Sequence, residues 1–452
     1  MSTAPSVLNA ALSALGSSNS GFDVTSTVNA ILTADRIPEV TWQAQQATLA
    51  KQTAAINQIQ SEASSLSDQL NALQDPLGAL TYVSASTSDS NVLTASAVPG
   101  TATGNHTVVV KSLAVTGSSY SNTVASSSAQ LGPGGFTLTA NGVSKTITTG
   151  SGINTLDQLA SSINSQNLGV NASVITDTTG SRLALVAAAS GTAADFSISS
   201  QTGLSFSHTS GADAALTVDG VPITSASNTV TGAVNGLTLS LSGLSAPNTS
   251  VSIGLAPNAT FITQAVTSFV TAYNTLFNDL KSQFTFSTAT GTSGILSADS
   301  TVRSLQEQLL ASTNYSSGAS VASSLNSLGI STNQDGTLAV NSAALSNSIA
   351  NNFSEVANFF QGQNTNGFAS SLNNTLSTFT DPTQGAFTVD LSSINSENSA
   401  LTNQTATLER YLATEKTRLT AEYSKADIAL QQLPQTIKQI QTLLGYNNAT
   451  NG

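Results

Sequence analysis

Hydrophobic residues recur with a seven-residue period at both ends of this chain, while the middle carries short β-patterned runs. Near the start, Trp42, Leu49, Ile56, Ala63 and Leu70 stand seven apart, and Ile59, Leu66 and Leu73 fill the second position of the later heptads. Near the end, Tyr423, Ala426, Leu430, Leu433, Ile437, Ile440 and Leu444 alternate steps of three and four. Such stripes are the seams of long packed helices. A chain that leaves a helical bundle, builds β structure from about Ser84 to Ala256 and returns to the bundle makes a stalk with a head. The expected fold is α+β and multidomain: a long antiparallel helical or coiled-coil stalk from both termini, a β-rich head, and an inserted α+β domain.

Local signals set the boundaries. Asp23 is the expected N-cap of a first helix whose face carries Val24, Val28, Ile31 and Leu32. It ends before Pro38, because a residue preceding proline is pushed out of the α region. A second helix is predicted from Pro38 to Gln74, stopping at Asp75-Pro76. After Pro257, Ile262, Val266, Phe269, Tyr273, Leu276 and Leu280, widened by Val270 and Phe277, predict a helix buried on a broad face. Shorter helices are expected at 302–310, 321–328, 345–360 and 368–379. A last long helix starts near Leu391, with Pro434 expected to kink or divide it.

In the middle, the strands around Val92 and Thr107, separated by Pro99-Gly100, read as one hairpin. Phe136 to Thr148, turning at Asn141-Gly142, reads as another. A helix with Leu156, Leu159, Ala160 and Ile163 and two strands around Thr179-Gly180 complete a small insertion, with loop-like flanks at 121–128 and 208–212. Later strands turn at Asp219-Gly220 and complete the sheet begun at Val92. The expected division is therefore terminal helical segments at 1–38 and 427–452, a helical stalk at 39–82 and 257–426, a β head at 83–120 and 212–256, and the insertion at 121–211.

Little in the sequence points to chemistry. His106 and His208 are the only histidines, and neither has a carboxylate or second histidine at ligand spacing, so both read as surface residues of strand and loop. No nucleophile elbow, phosphate loop or dinucleotide fingerprint occurs, and the chain reads as no enzyme, with no metal and no cofactor. There is no cysteine. The net charge of −12 disfavours nucleic acid and anionic lipid as partners. The first residues lack the basic n-region of a Sec signal, and no apolar run reaches membrane-spanning length, so secretion would need a dedicated export route. The short stripes of Val28, Ile31 and Leu32, and of Ile437, Ile440 and Leu444, cannot hold isolated helices. They are expected to be mobile in the free protein and to bind partners outside it.

Several stretches resemble one family, the flagellar hook-associated protein 2 or filament cap family. Gly21-Phe22-Asp23-Val24 through Ala34-Asp35-Arg36-Ile37-Pro38 is similar to that family's opening segment. Ser88 to Ala95 with Thr107 to Ala114 resembles the start of its β head, and 153–198 resembles the insertion motif shared with flagellin. Ala212 to Val221, Phe269-Val270-Thr271-Ala272-Tyr273-Asn274 and Ser327 to Leu338 continue the likeness in order. The resemblance implies export through the flagellar type III apparatus, with a cytoplasmic chaperone beforehand. It also implies an extracellular ring homo-oligomer, a pentamer, at the filament tip, working with flagellin and the hook–filament junction proteins to fold and insert exported flagellin. A secreted adhesin and another hook–filament junction protein are the alternatives.

Overall fold

The computed structural model describes residues 23–288, 291–362 and 366–443. Helix α1, Val24–Asp35, begins at Asp23, whose carboxylate accepts the Ser26 amide at 3.0 Å. The chain breaks at Arg36, and α2 runs Ile37–Gln74 with Pro38 in its first turn, where a missing N–H costs nothing. Every predicted seam residue of α2 except the half-buried Trp42 is buried.

A 3₁₀ turn at Ala79–Thr81 leads into β1 (Val83–Thr87), followed by β2 (Leu93–Ala97), β3 (Gly104–Ser112) and β4 (Thr116–Ser121). Next come β5 (Gly134–Ala140), β6 (Val143–Thr149), α3 (Leu156–Ser165), β7 (Val170–Asp177), β8 (Gly180–Ser190), β9 (Phe196–Ser200) and β10 (Phe206–Thr209). Then β11 (Ala214–Val218), β12 (Val221–Ser225), β13 (Thr229–Val234), β14 (Leu237–Leu241) and β15 (Val251–Pro257) return the chain to helix.

These strands pair differently from the sequence expectation in one respect. β2 and β3 do not form a hairpin: β2 pairs with β14, Leu93 opposite Leu241, while β3 lies between β15 and β11. The Pro99-Gly100 turn separates two strands that enter different sheets. One has the order β1-β15-β3-β11-β12 and the other β13-β14-β2, and both contribute to one core containing Leu93, Val108, Val110, Leu216, Leu239 and Ile253. The local hairpins stand as expected. Asn141 and Gly142 have φ of 52° and 75°, Asp219 and Gly220 of 49° and 82°, the two positive values that a two-residue primed turn requires.

The insertion has its own core of Phe136, Leu138, Leu159, Ile163, Leu183 and Leu185 beneath the sheets β10-β4-β8-β7 and β6-β5-β9. Of its expected loop-like flanks, 122–128 is loop apart from a single bridge at Val124, whereas the second opens inside β10, where His208 pairs with Ser119. The crossing points are Val115 and Ala212, which exchange backbone hydrogen bonds at 2.9 and 3.1 Å. Joining 115 to 212 through a short glycine linker, with 116–211 removed, should leave a soluble chain whose helical circular dichroism signal is unchanged per helical residue. Loss of that signal would show that the insertion supports the helices.

Helix α4 (Ala259–Phe284), capped by Asn258, restarts the helical body. The return is side by side with the departure: Val83 pairs with Pro257, the Asn258 amide donates to the Tyr82 carbonyl at 2.8 Å, and the Tyr82 and Phe261 rings stack at 3.8 Å. There follow α5 (Ser300–Ser312), the ribbon β16 (Ile330–Thr332) and β17 (Leu338–Val340), α6 (Ser342–Gln361, bent at Asn352), α7 (Phe368–Thr380) and α8 (Ala386–Leu443). The helix expected at 321–328 is reduced to a 3₁₀ turn at Asn326–Leu328, ended by Gly329 at φ 86°. Helix α8 passes through Pro434 without a division. The proline withholds one hydrogen bond from the Leu430 carbonyl, on a stretch exposed enough for water to replace it.

Two carboxyl oxygens in this body, Glu62 Oε2 and Asp390 Oδ2, are shut off from water without a hydrogen-bond partner. Burial, reinforced by Asp279, raises the Glu62 carboxyl above the ordinary range, and burial with Asp299 does the same for Asp390. A raised acid binds its proton more tightly folded than unfolded, so its contribution is present at low pH and is lost as pH rises through the folded value. Replacing both acids with the neutral amides should raise Tm at neutral pH and leave it unchanged in acid. An equal shift at both pH values would mean that the two side chains act by packing alone.

Candidate functional site

The surface nearest the expected partner-binding residues is built from α1 and the distal part of α8. Arg36, at the end of α1, forks onto Glu409 of α8, with Nη2 donating at 2.9 Å and Nη1 also bonded to Glu409, and reaches Glu39 at 2.9 Å. The bond to Glu409 raises the guanidinium pKa further above its already high value. From that anchor α1 runs back antiparallel along α8, and Val28 and Leu32 are 1% and 8% exposed in a cluster with Leu412 and Leu419. Val24, Ile31, Leu408 and Tyr423 flank the cluster.

This corrects one expectation. Val28 and Leu32 do not await a partner outside the chain, because α8 itself covers them, and Ile31 is half-buried on the same cluster. The residues that cover them were overlooked, although the spacing could have found them: the terminal heptad seam, followed back from Tyr423, continues through Leu419 and Leu412. Beyond Tyr423 the situation reverses. Ile437 and Ile440 are 46% and 49% exposed, and Leu430 and Leu433 beside them are equally open, so one face of α8 carries an apolar stripe with no covering element among the described residues. Leu444, the last residue of the predicted stripe, lies outside the described residues.

The histidines acquire partners that sequence spacing could not reveal. His106 Nδ1 lies 2.7 Å from Asp219 Oδ2, and Asp219 also accepts the Thr107 amide at 2.8 Å, tying the β11–β12 turn to β3. The bond from His106, then that from Thr107, holds the Asp219 carboxyl below its usual range. His208 Nε2 is 3.2 Å from an oxygen of Asp195. Each pair fixes a turn or strand end, and neither places a nucleophile beside the imidazole. Among the described residues no three histidine, cysteine or carboxylate side chains converge on a possible metal position, and no helix is long and apolar enough to cross a membrane.

The chain is similar to known flagellar proteins along most of its length. Residues 20–117 match the flagellar hook-associated protein 2 N-terminus, 211–435 match the flagellar hook-associated protein 2 C-terminus, and 135–189 match the flagellin hook IN motif. The chain is 27% identical over 438 residues to the B-type flagellar hook-associated protein 2 of Pseudomonas aeruginosa, covering 88% of this chain and 90% of that protein. It is 30% identical over 239 residues to the polar flagellar hook-associated protein 2 of Vibrio parahaemolyticus, where the match takes in 52% of this chain but only 35% of that longer protein. The crystal structure of the D1-D2-D3 domains of the flagellar cap protein FliD from Escherichia coli superimposes with a TM-score of 0.56 at 22% identity, over 75% of this chain and 99% of that one, and so shares the fold. With both halves of the family's pattern matched in order around the insertion motif, the chain belongs to the flagellar hook-associated protein 2 family.

Proposed function

We propose that this protein caps the bacterial flagellar filament, standing at the extracellular tip and promoting the folding and polymerisation of exported flagellin while preventing its escape. The observation that carries the reading is the exposed stripe of Leu430, Leu433, Ile437 and Ile440 at the end of a stalk helix in a chain of this family. A stripe at heptad spacing is complementary to another helix, and contacts made of several modest apolar burials are readily broken and remade as subunits are added. The same reading assigns the helical body of α2, α4 and α8 to an antiparallel coiled-coil stalk, and assembly to a homo-oligomeric ring, a pentamer, seated on flagellin above the hook–filament junction proteins. Passage through the type III apparatus, guarded beforehand by a cytoplasmic chaperone, fits a chain without disulfides. The role is structural rather than enzymatic.

The test is filament growth. Cells lacking the protein should release flagellin monomer into the medium and carry short filaments or none, and supplying the full chain should restore length. Filaments of normal length without it would overturn the reading.

A further inference from the structure

Asparagine stands directly before glycine at positions 141, 235, 366 and 451, the last of them outside the described residues. This pair is chemically labile, because glycine has no Cβ to keep its own backbone nitrogen from reaching the Cγ of the preceding side-chain amide. The fold treats the three described pairs differently. Asn141 is tied down, its Nδ2 donating to the Leu168 carbonyl at 3.2 Å. At the pair of Asn366 and Gly367 it is the attacking nitrogen that is occupied: Gly367 is buried and its amide donates to the Gln361 carbonyl at 3.2 Å. Asn235 has neither restraint. It is exposed, and among the described residues neither its side chain nor the Gly236 amide has a hydrogen-bond partner. The turn it shares with Gly236 joins β13 to β14, and the register slips between Thr231 and Val234 just before it, so few ladder bonds steady it.

The far side of the same turn braces a junction. The Gly236 carbonyl accepts the Val98 amide at 3.0 Å and the Thr101 hydroxyl at 3.1 Å, and the neighbouring Gly100 amide donates to the Thr81 carbonyl at 2.9 Å, in the 3₁₀ turn that leads out of the helical body. We propose that Asn235 is a site of spontaneous deamidation, and that its isoaspartyl product loosens the contact between the β head and the helical body. The Gly236 nitrogen attacks Asn235 Cγ, forming an N–Cγ bond as the Cγ–Nδ2 bond breaks, and the displaced nitrogen leaves as ammonia carrying the former amide proton. Solvent water then adds to one carbonyl of the cyclic imide and opens it to aspartate or isoaspartate. In the isoaspartyl form the chain runs through Cβ and Cγ, so one extra backbone atom precedes Gly236 and its carbonyl is displaced from Val98 and Thr101. This site is independent of the capping role and of the α8 stripe.

The full chain incubated at mildly alkaline pH, then digested and mapped by mass spectrometry that separates aspartyl from isoaspartyl peptides, provides the test. Conversion at 235 should exceed that at 141 and 366 severalfold in the folded chain, and incubation in guanidinium chloride should erase most of the difference. An intact Asn235 in the folded chain, equal conversion at all three positions, or a difference that persists in guanidinium would overturn the assignment. Hydrogen exchange at the Val98 and Gly100 amides should then be faster in the isoaspartyl chain and stay at the native rate in Asn235→Asp, which carries the charge without the extra backbone atom. Unchanged exchange in the isoaspartyl chain, or equal acceleration in Asn235→Asp, would overturn the effect on the junction.

Discussion

Replacing Leu433, Ile437 and Ile440 together with serine should abolish filament elongation while leaving the melting temperature within a degree or two of the native value. The three side chains are about half exposed and touch no element of the monomer's buried core, so their removal takes little from folding. Covering the exposed half of each side chain on a filament subunit is worth about 0.7–1.5 kcal/mol, and serine removes that from all three at once, enough in combination to empty the tip. Flagellin should then accumulate in the culture medium, measured by immunoblot beside filament length by electron microscopy. Normal filaments would sink the assignment of this stripe, and a large fall in Tm would instead place these residues in the monomer's core. Placing serine at Val28 and Leu32 makes the contrast. These are buried on Leu412 and Leu419, so that variant should loosen α1 from α8 and lose hydrogen-exchange protection over 24–35.

Phe368→Ala should remove about 3–5 kcal/mol from the helical body, the cost of deleting a buried aromatic ring from a core that cannot fully collapse. Phe368 is 1% exposed, and its ring centroid lies 5.5 Å from that of Phe359, 5.6 Å from Phe269 and 5.8 Å from Tyr315, so three segments far apart in sequence share one aromatic cluster. The β-rich cores contain none of these residues. Urea unfolding followed by circular dichroism at helical wavelengths should therefore shift to lower denaturant while the β-sheet signal of the head unfolds near its native midpoint. A loss below about 1 kcal/mol would show that the neighbouring rings close over the cavity.

The sequence alone determined the elements whose cause is local. The α2 seam from Leu49 to Leu73, the broad face of α4, the Asp23 cap, the stop at Asp75-Pro76 and the turns at Asn141-Gly142 and Asp219-Gly220 depend on residues within a few positions of one another, where period and backbone preference suffice. The family likeness was legible for the same reason, as an ordered set of short segments. Tertiary structure decided the partners. A period says which face of a helix or strand is apolar and says nothing of what covers it: β2 passes over its neighbour β3 for β14, about 140 residues away, and Val28 and Leu32 find α8 within the chain while Ile437 and Ile440 find nothing there. His106 meets Asp219 across 113 residues for want of any local partner. Pro434 stays within its helix because the carbonyl it leaves unbonded faces water rather than a core, and that is a property of where α8 ends up, which no local pattern specifies.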